Sequence, residues 1–160
     1  MIRVAGDIYD SKANGPGMRY VLFTQGCTIR CEGCHNRHTW DKDKGIELSI
    51  DKVIENIKVS PFIDGVTISG GDPLDQAEQV ANLCLRIKEE CPGLNIMIYT
   101  GRTLEVIEKM DSIFIKSILK TADFLVDGRF DKTKTKGAKL YTGSRNQRIF
   151  NLKTREQIEF

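Results

Sequence analysis

Cys27, Cys31 and Cys34 form a C-x3-C-x2-C run, three soft thiols in a short stretch of chain. Ligands of this kind suit iron–sulfur clusters and zinc better than hard cations. The seven residue steps from first to last span at most about 23 Å fully extended, so the sulfurs can wrap one small inorganic core. Both [4Fe–4S] and zinc sites usually take four protein ligands, and this run supplies three. One solution is a cluster that leaves one iron free of protein. The other is a Cys3His zinc site completed by His35 or, with easier geometry, His38. Structural zinc motifs generally divide their ligands into two pairs across a longer loop, a spacing this chain lacks. Residue types alone leave both solutions open.

The elements that position this loop follow from hydrophobic patterning. Arg19 to Gln25 (RYVLFTQ) reads as a buried strand running into the cysteine loop at Gly26. After Ser49, a predicted N-cap, Ile50, Val53, Ile54 and Ile57 recur with the period of one helix face. Gly65 to Ser69 reads as a strand closed by the turn Gly70-Gly71-Asp72-Pro73. Asp75 and Glu78 resemble a capping box for a helix whose stripe is Val80, Leu83, Cys84, Ile87 and Cys91, stopped by Pro92-Gly93. Cys84 and Cys91 therefore read as core-filling thiols. A strand at Asn95 to Thr100, a helix capped by Thr103, a helix near Ser112 to Leu119, and strands at Phe124 to Val126 and Gln147 to Phe150 complete the pattern.

Strands alternating with helices predict an α/β fold with about five or six mostly parallel strands. A closed eightfold barrel typically needs about 250 residues, so 160 residues predict an open partial (β/α) barrel, a single domain over 1–160. In such folds chemistry gathers beyond the C-terminal strand ends. The loops Cys27 to Cys34, Gly70 to Pro73 and Thr100 to Arg102 should therefore surround one site. The glycine turn could by itself be a bare strand-to-helix connection; beside the cysteine loop it reads as a place where backbone approaches a ligand.

Composition narrows the function classes. Lys and Arg total 24 against 22 Asp and Glu, a net charge of +2 that gives no global reason to expect nucleic acid or an anionic membrane. No apolar run approaches the roughly 18 residues of a span, and an odd number of cysteines clustered as these are suits a reducing compartment. The expectation is a soluble cytoplasmic protein. Charge is uneven locally: Arg129 to Arg148 holds seven basic residues and one acid, which reads as a solvated loop or as a docking surface for an acidic partner.

The cysteine run after a first strand is the signature of the radical S-adenosylmethionine (AdoMet) enzymes. The ordered set NGPG (Asn14 to Gly17), FTQGC (Phe23 to Cys27), CEGCHN (Cys31 to Asn36), Trp40, SGGDPL (Ser69 to Leu74), YTG (Tyr99 to Gly101), LVDGRF (Leu125 to Phe130) and GSRNQR (Gly143 to Arg148) resembles, over nearly the whole chain, the activating-protein family of class III anaerobic ribonucleotide reductase. That resemblance implies a glycyl-radical-activating oxidoreductase. It carries one [4Fe–4S] cluster held by Cys27, Cys31 and Cys34, whose fourth iron takes the amino and carboxylate groups of AdoMet. Reductive cleavage would yield a 5′-deoxyadenosyl radical that takes a hydrogen from a glycine Cα of the large reductase subunit. The absence of a Ser-His-Asp or paired-carboxylate pattern agrees, since the cofactor carries the chemistry. Cofactor contacts are expected from Gly33, Cys34, His35, Gly70, Gly71 and Asp72. Backbone groups flanking Cys34 would face the adenine, and Gly70, Gly71 or Asp72 would receive the methionyl ammonium. Relatives often carry Glu at the Asp72 position, so the backbone there is expected to matter more than the carboxylate. Asn36 would order the loop, Trp40 shield the cluster, and Asn14 to Gly17 lie near the active face. The implied partners are the reductase large subunit and a low-potential electron donor such as a flavodoxin or ferredoxin. An activator of another glycyl-radical enzyme shares this chemistry, although the pyruvate formate-lyase activator and its kind tend to be longer. A non-catalytic Cys3His zinc module is the remaining alternative.

Overall fold

The computed structural model describes residues 1–160. Its strands are β1 (Ile2–Ser11), β2 (Arg19–Thr24), β3 (Ile46–Leu48), β4 (Gly65–Gly70), β5 (Asn95–Tyr99), β6 (Phe124–Asp127), β7 (Arg148–Asn151) and β8 (Glu156–Ile158). They join in one open sheet of order β3-β1-β2-β4-β5-β6-β7-β8. The helices are α1 (Ile50–Val59), α2 (Ala77–Glu90), α3 (Leu104–Glu108) and α4 (Ile113–Thr121). None is long and apolar enough to cross a membrane.

The neighbours β2, β4, β5 and β6 pair in parallel. Helical connections return the chain to the same end of the sheet each time, as parallel pairing requires. Outside this centre the expectation fails: β1, β3, β7 and β8 all pair antiparallel, so the eight-stranded sheet is mixed rather than mostly parallel. The physical reason lies in the edges. Register shifts in β1 between Val4 and Gly6 and between Ile8 and Ser11 interrupt its alternation, and β3 and β8 are only three residues each. None offers a period-two pattern long enough to read.

Local signals mostly translate as expected. Ser49 Oγ accepts from Lys52 N (3.0 Å) at the start of α1. Thr103 stands at the N-cap of α3 but its side chain makes no capping hydrogen bond, whereas Ser112, not expected as a cap, accepts from Ile115 N (3.3 Å) at the start of α4. The capping box at Asp75 does not form. Pro73–Gln76 is instead a tight 3-10 turn capped by Asp72, which accepts from Leu74 N (3.0 Å), and α2 begins after it. Asp75 turns its carboxylate to the cysteine loop. The apolar stripe holds: Val80, Leu83, Cys84 and Ile87 are buried, and Cys91 caps the helix half-buried.

The main core packs these helices onto Tyr20, Leu22, Val66, Ile68, Ile96, Ile98 and Leu125. The other sheet face carries a smaller cluster of Met97, Val126 and Ile149. Arg19, wholly buried, donates to Thr67 Oγ1 (3.0 Å), Val66 O (2.8 Å), Pro16 O (3.2 Å) and Asn95 Oδ1 (2.5 Å). Burial among neutral acceptors lowers its pKa to about 10. The Asn14 to Gly17 turn folds onto this guanidinium, where a Cβ at Gly15 would meet Met97 Sδ at 2.8 Å. It packs on the sheet face that carries Thr67 and Met97, towards the N-terminal ends of β2, β4 and β5, and the buried cation needs the turn's carbonyl.

A second charged clamp joins β6, β7 and α3. Arg148 reaches buried Asp127 (3.0 and 2.5 Å) and Glu105 (3.0 and 2.7 Å), while Asp127 also accepts from Leu104 N (2.7 Å). The guanidinium pulls the Glu105 carboxyl down to about 2. A carboxyl depressed in the folded state contributes stability above its unfolded value and loses it as pH falls through the folded one. The Tm difference between the wild type and Glu105→Gln should therefore shrink as pH drops from about 4.3 towards about 2. A difference independent of pH across that window would contradict the clamp.

Candidate functional site

Loops after β2, β4, β5 and β6 meet beyond the C-terminal ends of the parallel strands, where open α/β sheets bind ligands. One pocket is lined by Cys27, Ile29, Cys31 and Cys34 from the first, Ser69 to Asp72 from the second, Tyr99 to Gly101 from the third, and Gly128 and Phe130 from the fourth. Asn36, Thr39, Trp40 and Gln147 complete the wall. Sequence patterning grouped the first three loops. It missed the fourth, although the strand before it was recognised and the same strand-end rule applied. Gln147 was within reach as part of the GSRNQR run, but nothing in that run points to a pocket.

Backbone contact joins the first two loops. In parallel register Thr24 lies opposite Gly70, and the ladder continues past both strands: Gly71 N donates to Thr24 O (2.8 Å) and Asp72 N to Gly26 O (2.9 Å). The far side of the cysteine loop returns to the same point, since Gly26 N donates to Thr39 O (2.6 Å) and Cys27 N to Trp40 O (3.1 Å). A Cβ on Gly71 would collide with the Gly26 carbonyl, and one on Gly70, at φ +102°, with the Thr24 backbone. Both glycines are required by protein backbone before any ligand is considered.

The cysteine loop is tied down along its length. Asp75 accepts from Thr28 N (2.7 Å) and Thr28 Oγ1 (3.0 Å). Cys34 N donates to Cys31 O (3.2 Å) across a turn in which Gly33 takes φ +76°. Asn36 N donates to Cys34 Sγ (3.3 Å). From the basic segment, Arg129 donates to Ile29 O (3.2 Å) and Lys132 pairs with Glu32. Burial pushes the Cys27 thiol up, with the backbone N–H groups of Arg30 and Ile29 pulling against it.

Of the residues expected at the site, Cys27, Cys31, Cys34, Gly70, Gly71 and Asp72 line the pocket, whereas Gly33 and His35 do not. Gly33 is exposed and backs onto Lys132. The ring of His35 packs on Phe130 with centroids 5.2 Å apart, and His38 is exposed. Asp72 is present but occupied. Its buried carboxylate accepts from Leu74 N (3.0 Å), Thr100 Oγ1 (3.0 and 2.9 Å) and Gly101 N (3.0 Å), and it pairs with Arg102 (3.0 Å). Burial raises its pKa, and Arg102 with the N–H and O–H donors pulls against that rise.

The donor set fits an iron–sulfur cube. No three Cys, His, Asp or Glu side chains converge closely enough to share a single ion, but a [4Fe–4S] cube asks only that each thiolate bind its own iron corner. The three thiols line one pocket that neither histidine enters. The buried Nε1 of Trp40 has no partner in the same wall.

Because Gly71 is the point of closest backbone approach, Gly71→Ala should force the cysteine loop off the glycine turn. The expected cost is about 1–3 kcal/mol, the usual penalty of overpacking, with reduced iron and sulfide incorporation. Gly93→Ala, where nothing stands within 4 Å of the added carbon, should leave both unchanged. Thermal melts and iron analysis test the pair; equal behaviour of the two variants would refute the close-approach account.

Comparison with known proteins agrees with this geometry. Residues 13–150 match the family model described as a 4Fe-4S single cluster domain. The chain is 38% identical over 143 residues to the anaerobic ribonucleoside-triphosphate reductase-activating protein of Enterobacteria phage T4, covering 86% of each. It is 34% identical over 148 residues to the protein of that name from Haemophilus influenzae, covering 88% of this chain and 92% of the relative. The Vibrio cholerae protein of that name is 36% identical over 142 residues, covering 85% and 89%. Among solved structures, QueE from Escherichia coli shares the fold with a TM-score of 0.52 at 19% identity, over 64% of this chain and 53% of QueE. With matches of this extent to both the domain model and full-length relatives, the chain belongs to the family of anaerobic ribonucleoside-triphosphate reductase-activating proteins.

Proposed function

We propose that this chain, acting as one domain over 1–160, generates a glycyl radical on the large subunit of an anaerobic ribonucleotide reductase, using AdoMet and a [4Fe–4S] cluster. The observation that carries the reading is the pocket formed by Cys27, Cys31 and Cys34 facing the glycine turn, in a chain whose relatives bear that name. When bound, the cluster and AdoMet supply a one-electron reductive cleavage of a sulfonium carbon–sulfur bond, the source of oxidising power for removing a hydrogen atom from a glycine Cα.

The protein's part is to bind, orient and exclude water. Cys27, Cys31 and Cys34 would hold the cluster through one thiolate each, and the glycine turn opposite them would face the amino acid end of AdoMet. The Asn36 N–H donates to Cys34 sulfur and fixes the direction in which that side chain leaves the loop. Backbone at Gly70 and Gly71 receives the ammonium group, while Asp72, already saturated by protein donors, props the turn from behind. Ile29, Tyr99, Trp40 and Phe130 form less polar walls that keep solvent from the reacting centre. No proton transfer is needed at any of these side chains. Gly33 and His35 support the loop from outside, through Lys132 and Phe130.

The electron donor is a low-potential carrier of the flavodoxin or ferredoxin kind. Support comes from the exposed cations Lys132, Lys134 and Lys136; Lys132 and Arg129 line a cleft that also contains Cys31. Reducing conditions suit the five free thiols, and we place the protein in the cytoplasm.

Anaerobically reconstituted, reduced protein mixed with AdoMet and the reductase should give a glycyl-radical EPR doublet. Alanine at Cys27, Cys31 or Cys34 should abolish both the cluster absorbance and the doublet, whereas alanine at Cys84 or Cys91 should retain them. No doublet from wild type with a competent reductant and intact partner would refute the substrate assignment. Reversing charge at Lys134 and Lys136 should weaken donor binding and flatten its salt dependence; unchanged binding would remove the donor surface from this face.

A further inference from the structure

Arg102 lies at the centre of all the loops that build the pocket. Its Nη2 donates to Thr28 Oγ1 (3.1 Å) in the cysteine loop, one residue past Cys27, and to Asp75 Oδ1 (2.8 Å). Its Nη1 stands 3.0 Å from Asp72 Oδ2 in the glycine turn. Its own N–H donates to Thr100 Oγ1 (3.2 Å), and its carbonyl accepts from Gly128 N (3.2 Å) in the loop after β6. One residue thus contacts the loops following β2, β4, β5 and β6. Its side chain is 18% exposed, so the surrounding charges are only partly screened by water. Burial works against the guanidinium charge, but Asp72, Asp75 and Cys27 outweigh it and hold its pKa above the ordinary value.

The composition of this clamp goes beyond what holding loops together requires. Thr28 is already held by Asp75 through two hydrogen bonds, and Asp72 already has its backbone and hydroxyl donors. Arg102 adds a permanent cation between two carboxylates, bound to Thr28, the residue that follows Cys27. A charge fixed there favours whichever state of the bound cluster carries more negative charge, and reduction adds an electron.

We infer that Arg102 is a positioning residue that locks the cysteine loop to the glycine turn and, through its fixed charge beside Cys27, raises the reduction potential of the cluster. This rests on the cluster-binding function proposed above, and the test separates the two. Wild type, Arg102→Gln, Arg102→Lys and Asp75→Asn are reconstituted anaerobically and titrated by EPR, and hydrogen exchange is followed on the metal-free chains.

Arg102→Gln should lower the reduced-to-oxidised ratio at a fixed poise roughly tenfold, about 59 mV for a one-electron couple, and speed exchange at Thr28, whose N–H is bonded to the Asp75 carboxylate that Arg102 holds. Arg102→Lys should restore the potential but not the exchange protection, because an ammonium cannot reproduce the fork. Asp75→Asn removes a negative charge and should move the potential upward, so the sign survives even if Arg102→Gln fails to fold. An unchanged potential in Arg102→Gln, or shifts of the same sign in Arg102→Gln and Asp75→Asn, would overturn the inference. A wild-type protein that takes up no reducible cluster would instead overturn the proposed function.

Discussion

Between Gly26 and Gly71 two backbones approach so closely that no side chain fits, and the rest of the site depends on that contact. It exists because parallel pairing carries β2 and β4 to the same height, with Thr24 opposite Gly70, and because the hydrogen bonds run on after the strands end. A loop leaving β2 and a turn leaving β4 are thereby held at a fixed separation by main chain alone. Side chains then differentiate the two walls, thiols on one and glycine backbone on the other. A site built this way is rigid at its base, which cofactor-borne chemistry requires of its protein.

Buried charge in this small sheet is placed at its two ends. At the N-terminal end of the parallel strands, Arg19 sits among neutral acceptors and binds the glycine-rich turn. At the C-terminal end, Asp72 and Asp127 are each saturated by backbone donors and an arginine. Such groups are costly to leave unpaired in an interior, so each one dictates where neighbouring loops must stand. The motif residues Asn14 to Gly17, Asp127 and Arg148 serve this scaffolding: each either holds a buried charged group or is one.

The central strands, α1, the α2 stripe and α4 were legible because their signals are local: continuous apolar runs, a 3.6-residue period, and Ser49 as a cap. The edge strands were not. Gly6 and the bulges of β1 break its alternation, and β3 and β8 are too short to show one. Asp75 illustrates a different failure. Its spacing to Glu78 suits a capping box, yet a carboxylate is free to accept from any donor in reach, and Thr28, far away in sequence, wins.

Residue types by themselves narrowed the chemistry to a cluster or a zinc ion, because C-x3-C-x2-C is a short-range fact of type and spacing, and the ordered set of motifs along the chain pointed to the cluster. The sequence also determined the order of strand and helix through the parallel centre. Tertiary structure decided which groups face the pocket and which merely support it. Gly33 and His35 turn away, Asp72 is claimed by protein donors, and Gly128, Phe130 and Gln147 enter from loops distant in sequence. Arg102 belongs to this second kind: the strand-end rule put its loop at the site, but nothing in its local sequence names Asp72, Asp75 and Thr28 as its partners. Hydrogen-bond competition and the meeting of strand ends are long-range events, and they are settled only when the sheet has closed the distance between them.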